Sequence, residues 1–277
     1  MALILVLWLL VLLSVIVLSF SGTARTQAVI ARNLLDNTQA RWLADAGVRF
    51  AARRLWLADA DPAAENMAET WRCRFGPGRL SISIQNVAGL IDLNAAPPDT
   101  LSRLFATAGL EAADAARLAT IVADFRDSND RRRTDGAEAE DYAAAGLPHG
   151  PKNGEFRAVE ELEQVLDMPS GLIERVRTAV TVHSGQPVPD LGLAPPLVRL
   201  TFGQDPERPP AEGSPLPKRG DAVFRITVTA RTDSGARFTR VAVLAVRGTP
   251  WTGYRVLQWG RAPENGRSLS NGERRSC

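Results

Sequence analysis

The chain has 277 residues, 33 of them Lys or Arg and 31 Asp or Glu, with 45% hydrophobic and 23% charged residues. That length allows one or two domains and a sizeable core. A net charge of +2 excludes a globally charge-driven partner, so any nucleic-acid footprint would have to be local, and two cysteines with two histidines argue against a disulfide scaffold or a Cys/His zinc site.

Residues 2–20, ALILVLWLLVLLSVIVLSF, contain no charge and only two polar side chains, Ser14 and Ser19. As a helix they would span roughly 28 Å, close to the ~30 Å hydrocarbon thickness of a bilayer. The run reads as a retained membrane helix. A cleaved signal peptide and a buried core helix are the competing readings. A signal peptide usually has a basic start and a shorter apolar region, neither of which is present, although residues 19–24 could pass as a cleavage region. The first positive side chains, Arg25 and Arg32, lie downstream of the run. Read literally, the positive-inside rule would then leave the body in the cytoplasm.

The helical pattern continues past the run. Gly47 is the only helix-disfavouring residue from Thr23 to Ala58, and Pro62 is the first proline. One helix of about 85 Å is expected over residues 2–58. Leu35, Trp42, Ala46, Phe50 and Leu57, at separations of 7, 4, 4 and 7, mark one apolar face of it, with Arg25, Arg32, Asp36, Arg41, Asp45, Arg49 and Arg53 largely away from that face. A polar stretch over 61–70 follows. Residues 79–85 (RLSISIQ) alternate as a half-buried strand does. Residues 224–230 and 238–246 read as a hairpin around Thr232-Asp233-Ser234-Gly235.

Between these strands the pattern is helical. Leu101, Leu104 and Phe105 fit one helix, and Ala115, Leu118, Ile121, Val122 and Phe125 a second. Val159, Leu162, Val165 and Leu166 fit a third, and Leu172, Ile173, Val176 and Val180 a fourth. The economical fold class is α+β: a long N-terminal helix and an antiparallel sheet, with an inserted all-α domain. The expected divisions are a transmembrane helix at 1–22 and the amphipathic helix with the first part of the sheet domain at 23–94. The α-domain follows at 95–180, the rest of the sheet domain at 181–260 and a tail at 261–277. The Pro-rich stretch 187–218 reads as a loop, and the tail, almost without apolar residues, as disordered. Cys73 and Cys277 could pair in an oxidising compartment, but free thiols are the default expectation.

Catalytic constellations are poor. His149 and His183 have no recognisable nucleophile beside them, and no Walker loop, GxGxxG or HExxH occurs. Acids are more suggestive. Seven carboxylates fall within residues 124–141, with Asn129 and Gly136 among them. Hard cations such as calcium want six to eight oxygens, and such a loop could wrap them around one ion. The alternative is a solvated loop, its acids offset by Arg126 and the three arginines at 131–133. The helical block also suggests two helix-hairpin-helix elements, which in nucleic-acid binders present backbone N–H groups to phosphate. Glu111 and Asp167 stand where a phosphate would approach, against that use.

Taken together, the sequence resembles the K-type minor pseudopilins of type II secretion. The likeness lies in Ala2-Leu3-Ile4-Leu5-Val6-Leu7-Trp8, in Ala31-Arg32-Asn33-Leu34-Leu35-Asp36 with Gln39-Ala40-Arg41-Trp42, and in Leu90-Ile91-Asp92-Leu93-Asn94. Its most specific part is Asp124-Phe125-Arg126-Asp127, Gly136-Ala137-Glu138, Asp141-Tyr142, Lys152-Asn153 and residues 156–162. The resemblance implies a pseudopilin-like sheet and a non-enzymatic role at the tip of a periplasmic pseudopilus. It implies I-type and J-type minor pseudopilins and the major pseudopilin as partners, with single-pass anchoring in the inner membrane. It also implies calcium in the α-domain, with Asp124, Asp127, Asp130, Glu138 and Asp141 as candidate ligands. Pseudopilins are made with a short basic leader, removed by a prepilin peptidase before methylation of the new N-terminus. A leader upstream of Met1 is therefore expected, and it would supply the missing basic charge. With Met1 at the first mature position, Leu5 stands where most pseudopilins carry Glu; lacking that Glu is itself characteristic of the K type. The alternative reading is a membrane-anchored nucleic-acid-binding protein of the helix-hairpin-helix kind.

Overall fold

The computed structural model describes residues 2–58, 71–207, 222–246 and 253–262, except for the side chains of residues 16–25 and 56–58. Helix α1 runs unbroken over Ala2–Ala58. Among the described residues no helix is long and apolar enough to cross a membrane. The span expected over 1–22 falls partly outside the described side chains. The polar stretch 61–70 and residues 263–277 of the expected tail also lie outside the described residues. Arg261 and Ala262 lie within them, and Arg261 ends a strand.

Five strands, β1 (Trp71–Phe75), β2 (Gly78–Asn86), β5 (Ala222–Thr232), β6 (Arg237–Val246) and β7 (Tyr254–Arg261), lie side by side in that order as one antiparallel sheet. The expected alternation in β2 and the β5–β6 hairpin are present. Strands β1 and β7 have less regular alternation and were not legible in the sequence.

Helix α1 packs on one face of this sheet, but not by the stripe expected for it. The buried positions are Ala40, Leu43, Ala44, Val48, Ala51, Ala52 and Leu55, at the i, i+3, i+4 spacing of one helix face. Leu35 and Trp42 are 71% and 65% exposed, Ala46 and Phe50 are half-buried, and the Leu57 side chain lies outside the described set. The reason is steric. A Cβ at Gly47 would lie 2.7 Å from a Val228 methyl, so the helix approaches the sheet through its smallest residues. Leu43, Val48 and Leu55 then pack with Leu80, Ile82, Ile226, Val228 and Leu244. Asp45 pins the contact by accepting from Arg240 Nε at 2.6 Å, where both side chains are largely buried.

The helical elements lie between two short parallel strands, β3 (Ile91–Asp92) and β4 (Val180–Thr181). They are α2 (Pro98–Thr107), α3 (Ala112–Arg126), α4 (Ala139–Ala144), a 3-10 turn (Val159–Gln164) and α5 (Leu172–Val176). The third expected helix is thus a 3-10 turn. The fourth stops at Val176, because Val180 pairs with Ile91 as strand. Helix α6 (Pro196–Thr201) interrupts the stretch read as loop, and its Val198, with Ala194, joins the core of the helical block. A smaller cluster, Val87, Leu90 and Val243, links that block to the sheet.

The two chain crossings at β3 and β4 are fastened by Asp92, which is 1% exposed. Its Oδ1 accepts from the N–H groups of Asn94 (2.8 Å) and Ala95 (3.3 Å) on the incoming side. Its Oδ2 accepts from the N–H groups of Ser184 and Gly185 (both 2.8 Å) and from Ser184 Oγ (3.1 Å) on the outgoing side. Arg225 of β5 adds a link from the sheet by donating to Arg177 O and Val180 O. Burial lowers its pKa to about 10. The expectation of free thiols does not hold for Cys73, which is disulfide-bonded. The only other cysteine in the sequence, Cys277, lies outside the described residues.

Candidate functional site

The acidic stretch starts where α3 ends. Asp124 faces the core from its last turn and is fully buried, while Asp127 caps the helix. The chain then turns back so that Asp124 Oδ2 accepts from the backbone N–H groups of Ala137 (3.0 Å) and Arg133 (3.2 Å). Only glycine fits at 136, because a Cβ there would stand 1.8 Å from Asp124 Oδ2. Asp135, just before it, takes a left-handed conformation (φ 62°) that Asp tolerates better than most residues.

The five candidate ligands do not share one centre. Arg133 Nη1 donates to Asp124 Oδ1 at 2.5 Å and also to Asp127 Oδ2, so the guanidinium stands between two acids as their counter-charge. These two contacts raise the Arg133 pKa. Asp127 Oδ1 accepts from the backbone and side chain of Asn129. Asp130 accepts from Asn153 Nδ2 at 2.6 Å, and Asp141 accepts from the Glu138 N–H (2.9 Å) and pairs with Arg132 at 3.1 Å. Among the described residues no three Asp, Glu, His or Cys side chains stand close enough to hold one metal ion. Of the expected offsetting arginines, Arg126 instead donates to Leu93 O and Ala96 O, tying α3 to the incoming strand.

Glu138 is the exception. It is 7% exposed, and beyond a capping-box approach to the Asp141 backbone N–H neither carboxylate oxygen has a hydrogen-bond partner. Burial raises its pKa, reinforced by the negative charges of Asp124, Asp127 and Asp130 and opposed by Arg133. Asn153 Oδ1 is likewise buried and unpartnered. Orphaned buried oxygens are costly, and each points to a missing donor or cation. The donor set is hard oxygen throughout and fits calcium in kind, with Arg133 holding part of the charge an ion would otherwise neutralise.

The surrounding motif residues build this loop's support. Asn94 exchanges two hydrogen bonds with the Phe156 backbone, at 2.9 and 2.7 Å. Phe156 stacks on Phe125 at 5.1 Å, and Asn153 N donates to Phe125 O. Lys152 pairs with Glu161 at 2.5 Å. His149 leans on Tyr142, whose hydroxyl accepts from Leu166 N. Sequence reasoning counted Arg133 only as one of four offsetting arginines and Asn153 only as a motif residue, without placing either against particular acids. The signal for Arg133 was its place between Asp124 and Gly136; a triple-arginine run conceals which member turns inward.

At the suspected hairpins, α2 and α3 do pack against each other across a turn at Gly109 (φ 99°). The second element is not two α-helices, and Asp167 there pairs with Arg117 at 2.6 Å.

Residues 83–185 match the family model for protein K of the type II secretion system, a segment that runs from β2 through the helical block to just beyond β4. The fold matches a chain of the GspK-GspI-GspJ complex from the enterotoxigenic Escherichia coli type 2 secretion system. That match has a TM-score of 0.63 at 16% identity and covers 84% of this chain and 99% of that one. No curated protein matches the chain in sequence. Neither comparison supports the nucleic-acid reading. With the matched segment spanning its helical block and the fold shared along most of its length, the chain is similar over that block to protein K of type II secretion.

Proposed function

We infer that this chain works as a structural minor pseudopilin at the tip of the type II secretion pseudopilus, assembling with I-type and J-type partners and the major pseudopilin. The observation that carries this reading is α1. Its small-residue face is spent on the sheet, while Leu34, Leu35 and Trp42 remain exposed on the surface left over. Apolar helix surface of that kind suits packing against neighbouring helices. In this reading residues 1–22 anchor the chain once across the inner membrane with the body in the periplasm, after prepilin peptidase removes an upstream leader and the new N-terminus is methylated. Leu5 in place of Glu keeps an unpaired carboxylate out of lipid. The inserted helical block, held at both chain crossings by Asp92, supplies bulk that would prevent further subunits from adding above it.

The acidic loop takes calcium in this account, with Glu138 the oxygen donor most in need of a cation and Asp124, Asp127, Asp130 and Asp141 its companions. Binding requires Arg133 to withdraw from between Asp124 and Asp127. Calorimetry on the purified chain tests it: heat and a raised unfolding temperature with millimolar calcium are expected, and the absence of both would remove the claim. Co-expression with I-type and J-type partners tests the assembly claim, which predicts that all three co-purify.

A further inference from the structure

The five strands of the main sheet contain nine arginines and no Asp or Glu. Four of these arginines fall in one cross-strand row. Arg74 of β1 is opposite Arg79 of β2, Arg79 is opposite Arg231 of β5, and Arg231 is opposite Arg237 of β6. Directly opposite residues share a face, and this one is turned away from α1. At strand spacing of about 4.8 Å the row is roughly 14 Å long. All four side chains are exposed. Among the described residues the one acid paired with the row is Asp233 of the β5–β6 turn, 3.4 Å from Arg74 with both side chains more than half exposed. Like charges set directly opposite one another destabilise a sheet, so nothing in the fold accounts for this arrangement.

We propose that the arginine row is a docking surface for an acidic protein segment that lies across the strands and presents carboxylates along one side. Charge complementarity carries the choice: among the described residues four cations meet one local acid. The same face bears only Ser81, Thr229 and Thr239 in the next register beyond Arg72, with Thr229 and Thr239 bonded to each other at 3.0 Å. Further along, Arg225 tucks beneath the helical block, so the row occupies the end of the face that block leaves open.

A lipid surface is a poor occupant. The row lies level with Leu43, whose side chain meets Gly78 beside Arg79. Leu43 is 23 residues beyond Phe20, where the apolar run ends, about 35 Å along the helix. Headgroup charge is screened within about 8 Å at physiological salt. Residues 263–277 are also unsuited, since they hold two Glu against three Arg. The surface is separate from the α1 face used in assembly, so its test does not depend on the assembly reading.

The test uses the full chain in non-ionic detergent and a fluorescent oligo-glutamate peptide as probe, followed by anisotropy at low and moderate salt. The peptide is expected to bind the unaltered chain and to weaken as salt rises. Binding should fall at least about tenfold in the Arg79→Glu, Arg231→Glu double variant. A milder pair, Arg79→Ser with Arg231→Thr, should lose the peptide yet unfold about 2 °C higher, because repulsion along the row is relieved. Equal peptide binding by the unaltered chain and both variants would overturn the proposal. So would duplex DNA binding through these arginines while the peptide does not. Peptide binding that emerges only after neutralising Asp59, Asp61, Glu65 and Glu69 would also overturn it, by assigning the row to the chain's own acidic segment.

Discussion

Replacing Asp92 with asparagine alters one atom of the side chain and should cost a large part of the fold's stability. The carboxylate accepts five hydrogen bonds, two on the incoming side of the helical block and three on the outgoing side, at 2.8 to 3.3 Å. Asparagine keeps one acceptor oxygen. If that oxygen stays with Ser184 and Gly185, the amide NH2 faces the N–H groups of Asn94 and Ala95, and the single oxygen that accepted both bonds is exchanged for an opposing donor. Hydrogen bonds to a charged group are worth about 1.5–3 kcal/mol each. Because the five bonds share one carboxylate and do not add, a loss of about 3–5 kcal/mol is expected. That is comparable to a third of a typical domain's stability. Urea unfolding of the unaltered chain and the Asp92→Asn variant at neutral pH, fitted for both midpoint and slope, measures it. A loss below about 1 kcal/mol would refute the claim that Asp92 fastens the two crossings.

The Gly136→Ala variant should unfold the acidic loop locally and destabilise the chain by more than about 2 kcal/mol, because its Cβ would take the place of Asp124 Oδ2; equilibrium unfolding checks it. Removing Asp45 leaves Arg240 buried without its acid at the α1–sheet contact, and Asp45→Ala should cost about 3–5 kcal/mol by the same measurement. Glu138→Gln should stabilise the calcium-free chain by about 1 kcal/mol at neutral pH. The folded-state pKa of Glu138 is raised, so its ionised form burdens the fold as pH rises through that pKa; the gain from Gln should therefore shrink toward pH 4.5, as melting curves at both pH values would show. The same variant should weaken calcium binding in calorimetry. Burial lowers the pKa of His183, with Asp92 opposing and Arg225 reinforcing the effect. The folded chain therefore binds this proton less readily than the unfolded chain, and its contribution is complete above pH 6.5 and lost below it. His183→Gln should flatten part of the stability loss between about pH 7 and 5, measured as urea midpoints.

What could be read from the sequence divides along physical lines. The long helix, β2, the β5–β6 hairpin, α2 and α3 carry their own periodicity and were legible from it. The face of α1 was not. Ranking apolar residues by size selects Leu35 and Trp42, whereas close packing on a sheet selects Ala44, Gly47 and Ala51. The third expected helix closes as a 3-10 turn because apolar spacing at Val159 records burial, not which turn forms, and the fourth forms at Leu172 but ends at Val176, since Val180 pairs with Ile91 as strand. The acidic loop was recognisable by composition, yet the partners of its acids depend on a fold-back from α3 that puts Arg133 inside. The arginine row depends on strand register across four strands from two distant parts of the chain, which no local pattern contains.

The assembly role is tested most directly by mixing the purified chain with I-type and J-type pseudopilins and following their elution by size-exclusion chromatography with light scattering. The account predicts that the unaltered chain elutes in one complex with both partners, and that Leu35→Glu combined with Trp42→Glu, on the exposed side of α1, leaves it folded but eluting alone. An unaltered chain that elutes apart from both partners, or a double variant that still joins them, would contradict it.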